Sequence, residues 1–162
     1  MDSQKSKHKP LRLSQFDYST PGAYFITICA HNSAEIFSSV LRLSELEAPA
    51  VELTACGKVI EKNIHDISKR FPNFTVDNYA IMPNHIHLLL TVAEPIDTVK
   101  SKTVSDVVGA FKSITAVQCL KELGVKNLWQ HSFYDHIVRD DKDYYEIAKY
   151  IEFNAEKWLQ SH

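Results

Sequence analysis

The stretch Met82-Pro83-Asn84-His85-Ile86-His87-Leu88-Leu89-Leu90 joins a turn to an apolar segment that is typical of a β-strand. Residues 74–80 before it are rich in aromatic and β-branched side chains, so the two segments predict a hairpin. Because side chains alternate between the two faces of a strand, His85 and His87 are predicted to project side by side, while Ile86 faces the core. Such a pair can chelate one divalent metal ion, or it can be two surface histidines of a half-buried sheet.

Alternating strands and helices are predicted on both sides of this hairpin. Further strands are predicted at 23–30 and 132–138, with a short strand within the insertion at 37–43. Helices are predicted at 53–69, 104–123 and 142–159. The main order is strand, helix, strand, strand, helix, strand, helix. This order predicts an α+β fold, a ferredoxin-like antiparallel sheet with helices packed on one face.

The length of the chain, 162 residues, is that of one domain. We assign residues 18–162 to a single domain and residues 1–17 to a flexible basic N-terminal arm. The formal net charge is −2, which does not by itself indicate a nucleic-acid binder. Basic residues are nevertheless concentrated at 1–13 and 99–126, whereas 31–55 is acidic. A charged stretch of this kind can equally be a solvated surface.

The sequence offers no apolar signal segment at its N-terminus and no apolar run that approaches the ~20 residues needed to cross a bilayer. We therefore expect a cytoplasmic protein with no membrane partner. Its three cysteines, Cys29, Cys56 and Cys119, are widely spaced and odd in number. They are predicted to be reduced core residues rather than a disulfide framework or a zinc site.

The last predicted helix carries Tyr150 and Asn154, which are four residues apart and therefore share one face of a helix. A tyrosine phenol is a poor nucleophile at its ordinary pKa of ~10, but a divalent cation bound beside it can activate a phosphate for its attack. The amide oxygen of Asn154 could be a third ligand for Mg²⁺ or Mn²⁺. The alternatives are core packing for the tyrosine and a backbone hydrogen bond for the asparagine.

Five segments in order, at 78–87, 111–113, 128–130, 134–140 and 150–154, resemble the HUH single-tyrosine transposases of the IS200/IS605 type. Within that group the sequence is most similar to the REP-associated tyrosine transposases. The resemblance extends over residues 18–158 and includes the histidine pair and the Tyr-x-x-x-Asn motif. One departure is Ala155, because relatives often carry proline after the asparagine, and alanine should simply extend the helix.

The resemblance implies a metal-dependent, site-specific endonuclease and strand transferase that acts on hairpin-bearing single-stranded DNA through a 5′-phosphotyrosine. It implies that Tyr150 is the catalytic nucleophile and that His85, His87 and Asn154 bind the metal ion, Mg²⁺ or Mn²⁺. Two other functions stay open: a domesticated protein that binds DNA hairpins without cutting them, and a small metallohydrolase. The resemblance also leaves open whether the chain is a monomer or a homodimer that exchanges the tyrosine helix.

Four further residues are candidates for contact with DNA. Lys112 and Arg139 could bind phosphates, or they could be ordinary surface charges. Trp129 and Tyr134 could stack on unpaired bases. For Trp129, a place in the core or at a hinge is the favoured interpretation.

Overall fold

The computed structural model describes residues 22–93 and 102–162. The basic arm predicted at 1–17 lies outside the described residues. The strands are β1 (Gly22–Cys29), β2 (Ser38–Leu41), β3 (Ala50–Leu53), β4 (Phe74–Ile81), β5 (His85–Val92) and β6 (Tyr134–Ile137). The helices are α1 (Ala55–His65), α2 (Ile67–Arg70), α3 (Val104–Leu123), α4 (Asp141–Glu152) and α5 (Asn154–Ser161).

Four of these strands form one antiparallel sheet in the order β4-β5-β1-β6. The predicted hairpin is β4–β5, and its turn is closed by a hydrogen bond from the Met82 backbone N–H to the His85 carbonyl, 2.8 Å long. The predicted strand in the insertion is β2, which pairs with β3 as a separate two-stranded sheet. The α+β prediction with an antiparallel sheet and packed helices is therefore confirmed.

Helices lie against both faces of the sheet, so the prediction that they pack on one face is corrected. On one face Ile26, Ile28, Ile86 and other buried apolar residues form a single core cluster with α1 and α3. Leu89 projects to the other face, because it alternates with Leu88 and Leu90 along β5, and there it packs against Ile147 and Ile151 of α4. The helix that carries Tyr150 thus covers the face of the sheet that carries the two histidines.

Local signals account for most of the helix ends. Thr54 caps the N-terminus of α1 and accepts a hydrogen bond from the Gly57 backbone N–H at 3.0 Å. Gly124 ends α3 in the left-handed conformation, with φ of 70°. None of the described helices combines the length and the apolar character that crossing a membrane requires.

The helix predicted at 142–159 is interrupted at Phe153, so that prediction is corrected to two helices, α4 and α5. Phe153 adopts φ −99° and ψ 18°, outside the helical conformation. Its side chain is 54% exposed. Trp158, on the second of these helices, belongs to neither core cluster of the described residues. A propensity for helix in the sequence does not reveal such a break, because no proline or glycine marks it.

Replacing Gly57 by alanine should destabilise the fold. An added Cβ would lie 2.1 Å from the Phe37 carbonyl oxygen, so backbone must move to admit it. We expect a loss of about 1–3 kcal/mol in the free energy of unfolding, measured by urea denaturation. The control is Gly109→Ala in α3, where a new Cβ meets nothing within 4 Å. Helix propensity should make that variant more stable by about 0.5–1 kcal/mol, and equal stability of the two variants would contradict the expectation.

Candidate functional site

The histidines project from the same face of β5, in the middle of the sheet. In the register with β1, His85 lies opposite Cys29 and His87 lies opposite Thr27. The centroids of the two imidazole rings are 4.7 Å apart. His87 is buried and His85 is half-buried. The structure therefore brings the two rings together as the spacing predicts.

Each imidazole is held through its Nδ1 atom. His85 Nδ1 is 2.8 Å from the Asn84 side-chain oxygen, which can only accept, so this nitrogen carries the proton. His87 Nδ1 is 2.8 Å from the Thr27 hydroxyl oxygen. With Nδ1 as the donor in both rings, the Nε2 lone pairs are left to bind a metal ion. Partners of this kind fix the tautomer and the orientation of a metal-binding histidine.

Burial keeps both imidazoles neutral. Desolvation lowers the pKa of His87 to about 3, and the neighbouring His85 adds to the shift. Desolvation also lowers the pKa of His85 to about 4, although the Asn154 side chain acts in the opposite direction. A neutral imidazole is the form that binds a metal ion. Both rings are consequently in the right protonation state at pH 7.

Tyr150 lies at the end of α4 with its ring against the histidines. Its ring centroid is 5.5 Å from that of His87 and 6.0 Å from that of Phe25. Phe25 itself stacks on His87, with 5.1 Å between the ring centroids. Tyr150 remains 40% exposed. Its phenol is therefore positioned by aromatic contacts and still accessible to a large substrate.

Asn154 begins α5 and is brought to the same place as Tyr150 despite the interruption at Phe153. Its side chain is 5% exposed. Asn154, Tyr150 and His85 all line one surface cavity of about 320 Å³. Phe153 keeps helix-like hydrogen bonds to both helices, because its N–H donates to the Lys149 carbonyl at 3.0 Å and its carbonyl accepts from the Lys157 N–H at 3.2 Å.

The donor atoms in this cavity fit a divalent metal ion. Among the described residues, His87 Nε2 and Asn154 Oδ1 are buried atoms without a hydrogen-bond partner. Leaving two such atoms unsatisfied costs about 1–3 kcal/mol each, which a bound cation would offset. Within 22–93 and 102–162, no three histidine, cysteine, aspartate or glutamate side chains form a metal-binding group. A set of two imidazoles and one amide oxygen is compatible with Mg²⁺ or Mn²⁺ and does not resemble a hydrolytic zinc site.

Lys112 is half-buried, and its ammonium group binds backbone carbonyls of the protein itself. Its ammonium group donates to the backbone carbonyls of Gln130, His131 and Ser132, at 2.9, 3.3 and 3.3 Å. An ammonium has three N–H donors, so these contacts occupy all of them. Burial lowers the pKa of Lys112. Lys112 therefore holds the segment before β6, and its predicted phosphate contact remains a prediction.

Trp129 packs in the core, as the favoured interpretation has it, and not on the surface for base stacking. Its ring contacts Phe37 and Phe111, with centroids 5.1 and 5.9 Å apart. Its indole N–H donates to the Thr115 hydroxyl at 2.8 Å. The structure thus gives this residue a packing role between α3 and Phe37, which directly precedes β2.

The remaining two candidates for DNA contact lie near β6. Tyr134 is opposite Thr27 in the register, so it lies on the face of the sheet that carries the histidines. Arg139 is exposed beyond the end of β6, and its backbone N–H donates to Asp143 at 3.1 Å. The Tyr134 hydroxyl is a buried atom, whereas Arg139 is exposed to solvent, and the DNA contacts of both residues remain predictions.

Several residues of the site are not identified by the sequence analysis. Thr27 and Phe25 contact His87 from the neighbouring strand, and only the register of β1 with β5 reveals them. Asn84 directly precedes His85, so the sequence could have indicated it. Lys157 and Trp158 line the same cavity from α5, and they enter it because the chain turns at Phe153.

Comparison with known proteins gives a match to one family model. Residues 50–154 match the model described as transposase, IS200-like. This segment includes β5 and α4 and ends at the candidate metal ligand Asn154. It covers well over half of the chain.

Individual relatives agree with the family match. An uncharacterised protein of Haemophilus influenzae is 27% identical over 94% of this chain and 90% of its own length. A REP-associated tyrosine transposase of Escherichia coli is 30% identical over 57% of this chain, and the match spans 52% of that protein. A solved structure of a REP-associated tyrosine transposase bound to a REP hairpin has a TM-score of 0.64 at 24% identity, over 91% of this chain and 74% of the other. That structural likeness supports the fold.

Proposed function

Because this chain belongs to the IS200-like transposase family, we propose that it cuts and rejoins single-stranded DNA with Tyr150 as the nucleophile. The observation that carries the proposal is the position of the tyrosine. Its ring lies 5.5 Å from that of His87 and shares a cavity with Asn154. Two buried donor atoms without partners, His87 Nε2 and Asn154 Oδ1, lie in this region.

The reaction is a pair of transesterifications. The Tyr150 phenol oxygen attacks the phosphorus of a DNA phosphodiester and loses its proton to water. The bond from phosphorus to the 3′ oxygen breaks, and this oxygen takes up a proton to become a free 3′-hydroxyl. The products of this step are a 5′-phosphotyrosine and the released strand. A 3′-hydroxyl then attacks the phosphotyrosine, which restores the phenol and rejoins DNA without ATP.

His85, His87 and Asn154 are the residues that would hold the metal ion. A bound Mg²⁺ or Mn²⁺ supplies Lewis-acid polarisation of a phosphate oxygen and helps to orient the phosphate. The protein contributes rigid imidazoles, fixed through Asn84 and Thr27, and a helix that presents the phenol beside them. Fixed orientation of reacting groups contributes strongly to catalysis of transfer reactions.

We propose a DNA hairpin with an unpaired flank as the substrate. The support is a relative of the same fold that was solved with a REP hairpin bound. The exposed position of Tyr150 beside His87 suits a polymeric substrate. The catalytic face is open at this point. A single strand can reach it, whereas a duplex keeps its bases stacked inside and cannot present them there.

The test is incubation of the purified chain with labelled, hairpin-bearing single-stranded DNA and Mn²⁺, followed by denaturing electrophoresis. We expect a covalent protein–DNA band that disappears when the metal is chelated. A protein that only binds hairpins would shift the DNA in a native gel and leave no covalent band. A metallohydrolase would release cut DNA without any covalent product.

A further inference from the structure

The helix α5 lines the cavity beside Tyr150 with a stacked aromatic pair. Trp158 and His162 are stacked, with ring centroids 3.7 Å apart and planes within 6° of each other. The Trp158 ring centroid is 6.2 Å from that of His85. Lys157 and Ser161 complete the wall that α5 contributes to the cavity. Lys157 and Ser161 are four residues apart, as are Trp158 and His162, so these side chains share one side of the helix.

The packing of the fold does not account for this surface. Trp158 belongs to neither core cluster of the described residues, although a large aromatic side chain normally stabilises a protein by burial in its core. The family match ends at Asn154, so nothing in that match assigns a role to Trp158 or His162. An aromatic pair at the rim of a catalytic cavity is a surface on which another flat ring can stack.

The charge of the cavity favours an anionic ligand. None of the described residues that line it is an aspartate or a glutamate. Lys157 places its ammonium nitrogen 5.5 Å from the centroid of the Tyr150 ring. The carboxylate of Glu156, on the same helix, is held by Arg42 at 2.5 and 2.6 Å. This ion pair neutralises the Glu156 carboxylate and fixes α5 to Arg42, the residue after β2.

We propose that Trp158 and His162 form a stacking site for one unpaired base of single-stranded DNA, next to the phosphate that Tyr150 attacks. Lys157 contacts the backbone of the same nucleotide. The cavity of about 320 Å³ is wide enough for a nucleobase, since its volume is roughly ten times the ~30 Å³ share of one water molecule. Stacking on an aromatic platform is how proteins hold single strands without reading their sequence. The inference rests on the proposed function and deepens it.

The test measures binding without cleavage. Fluorescence anisotropy with the full chain, in the presence of a chelator, compares a 12-nucleotide oligothymidylate with a 12-nucleotide abasic strand. Trp158→Ala should weaken oligothymidylate binding by about 5- to 100-fold, the range expected for loss of one stacked base. Trp158→Phe should bind within about twofold of the wild type, because a phenyl ring still stacks. The abasic strand should bind all of these proteins equally.

A matched control is Tyr145→Ala, since Tyr145 is an aromatic residue on α4 that is 63% exposed and does not line the cavity. It should leave oligothymidylate binding unchanged. As a direct readout, an oligonucleotide with 5-iodouracil should photo-cross-link to Trp158 or His162. Unchanged binding in Trp158→Ala, an equal loss for the abasic strand, or a cross-link confined to other residues would overturn the proposal.

The two proposals fail separately. A covalent adduct together with normal oligothymidylate binding by Trp158→Ala would leave the function of Tyr150 intact and remove the stacking site. Weakened binding by Trp158→Ala without any adduct in the wild type would support the stacking site and contradict cleavage. Thermal melts of each variant show whether a loss of binding reflects loss of the fold.

Discussion

Tyr150→Phe is expected to reduce formation of the covalent DNA adduct by at least about 1,000-fold, because the substitution removes the attacking oxygen and nothing else. The phenyl ring keeps the contacts with His87 and Phe25, so the fold and the binding of hairpin DNA should be unchanged. The measurement is a time course of adduct formation on denaturing gels, with binding followed in parallel by anisotropy.

Tyr144→Phe provides the matched control on the same helix. The Tyr144 hydroxyl donates to Asp77 at 2.6 Å, and this bond raises the pKa of Tyr144 to about 12, which makes it a weaker acid than an ordinary tyrosine. We expect this variant to form the adduct at a rate near that of the wild type. Adduct formation by Tyr150→Phe and its loss in Tyr144→Phe would show that the nucleophile is Tyr144.

Replacement of His85 and His87 by alanine is expected to weaken metal binding by about 10- to 100-fold or more for each single change. A direct ligand should matter at least as much as the outer partners for which that range is typical. Isothermal titration with Mn²⁺ measures the affinity, and the double variant should show no binding. A further control is His136→Ala, because His136 is an exposed histidine that pairs with Asp143 at 2.9 Å.

Equal Mn²⁺ affinity in the double variant and the wild type would rule out a metal site on β5. The variants should remain folded, because Leu89, Ile147 and Ile151 pack this face independently of the histidines. A domain of this size does not need a metal ion for its core. Circular dichroism of each variant without metal separates loss of a ligand from loss of structure.

Much of the fold follows from local sequence signals. The alternation around His85 predicts β5 and its hairpin, and the apolar spacing over 104–123 predicts α3 with the correct ends. Caps such as Thr54 and Gly124 act within a few residues, so they can be identified without knowledge of the tertiary structure. The interruption at Phe153 cannot be identified in this way, since its backbone conformation depends on how α4 and α5 each pack against the rest of the fold.

Local sequence also does not reveal the tertiary contacts of Lys112 and Thr27. Lys112 has the sequence context of a surface lysine, and its three carbonyl acceptors come from a segment 18–20 residues further along the chain. Nothing in the local sequence distinguishes Thr27 from the other strand threonines, Thr75 and Thr91. Only the register of β1 and β5 places it opposite His87. Long-range pairing of this kind is decided by the packing of the whole sheet.

The sequence by itself determined the chemistry that this protein can offer: two histidines on one strand face, a tyrosine and an asparagine four residues apart, and the α+β order of the elements. These features are local, because strand and helix periodicities are fixed by backbone geometry. Only the tertiary structure decided that α4 lies over the histidine face, where Tyr150 and Asn154 approach His85 and His87. It also decided that Trp158 reaches the cavity instead of the core. The physical reason is that each placement depends on apolar contacts between segments about 60 residues apart, such as Leu89 with Ile147, and no local pattern specifies which faces meet.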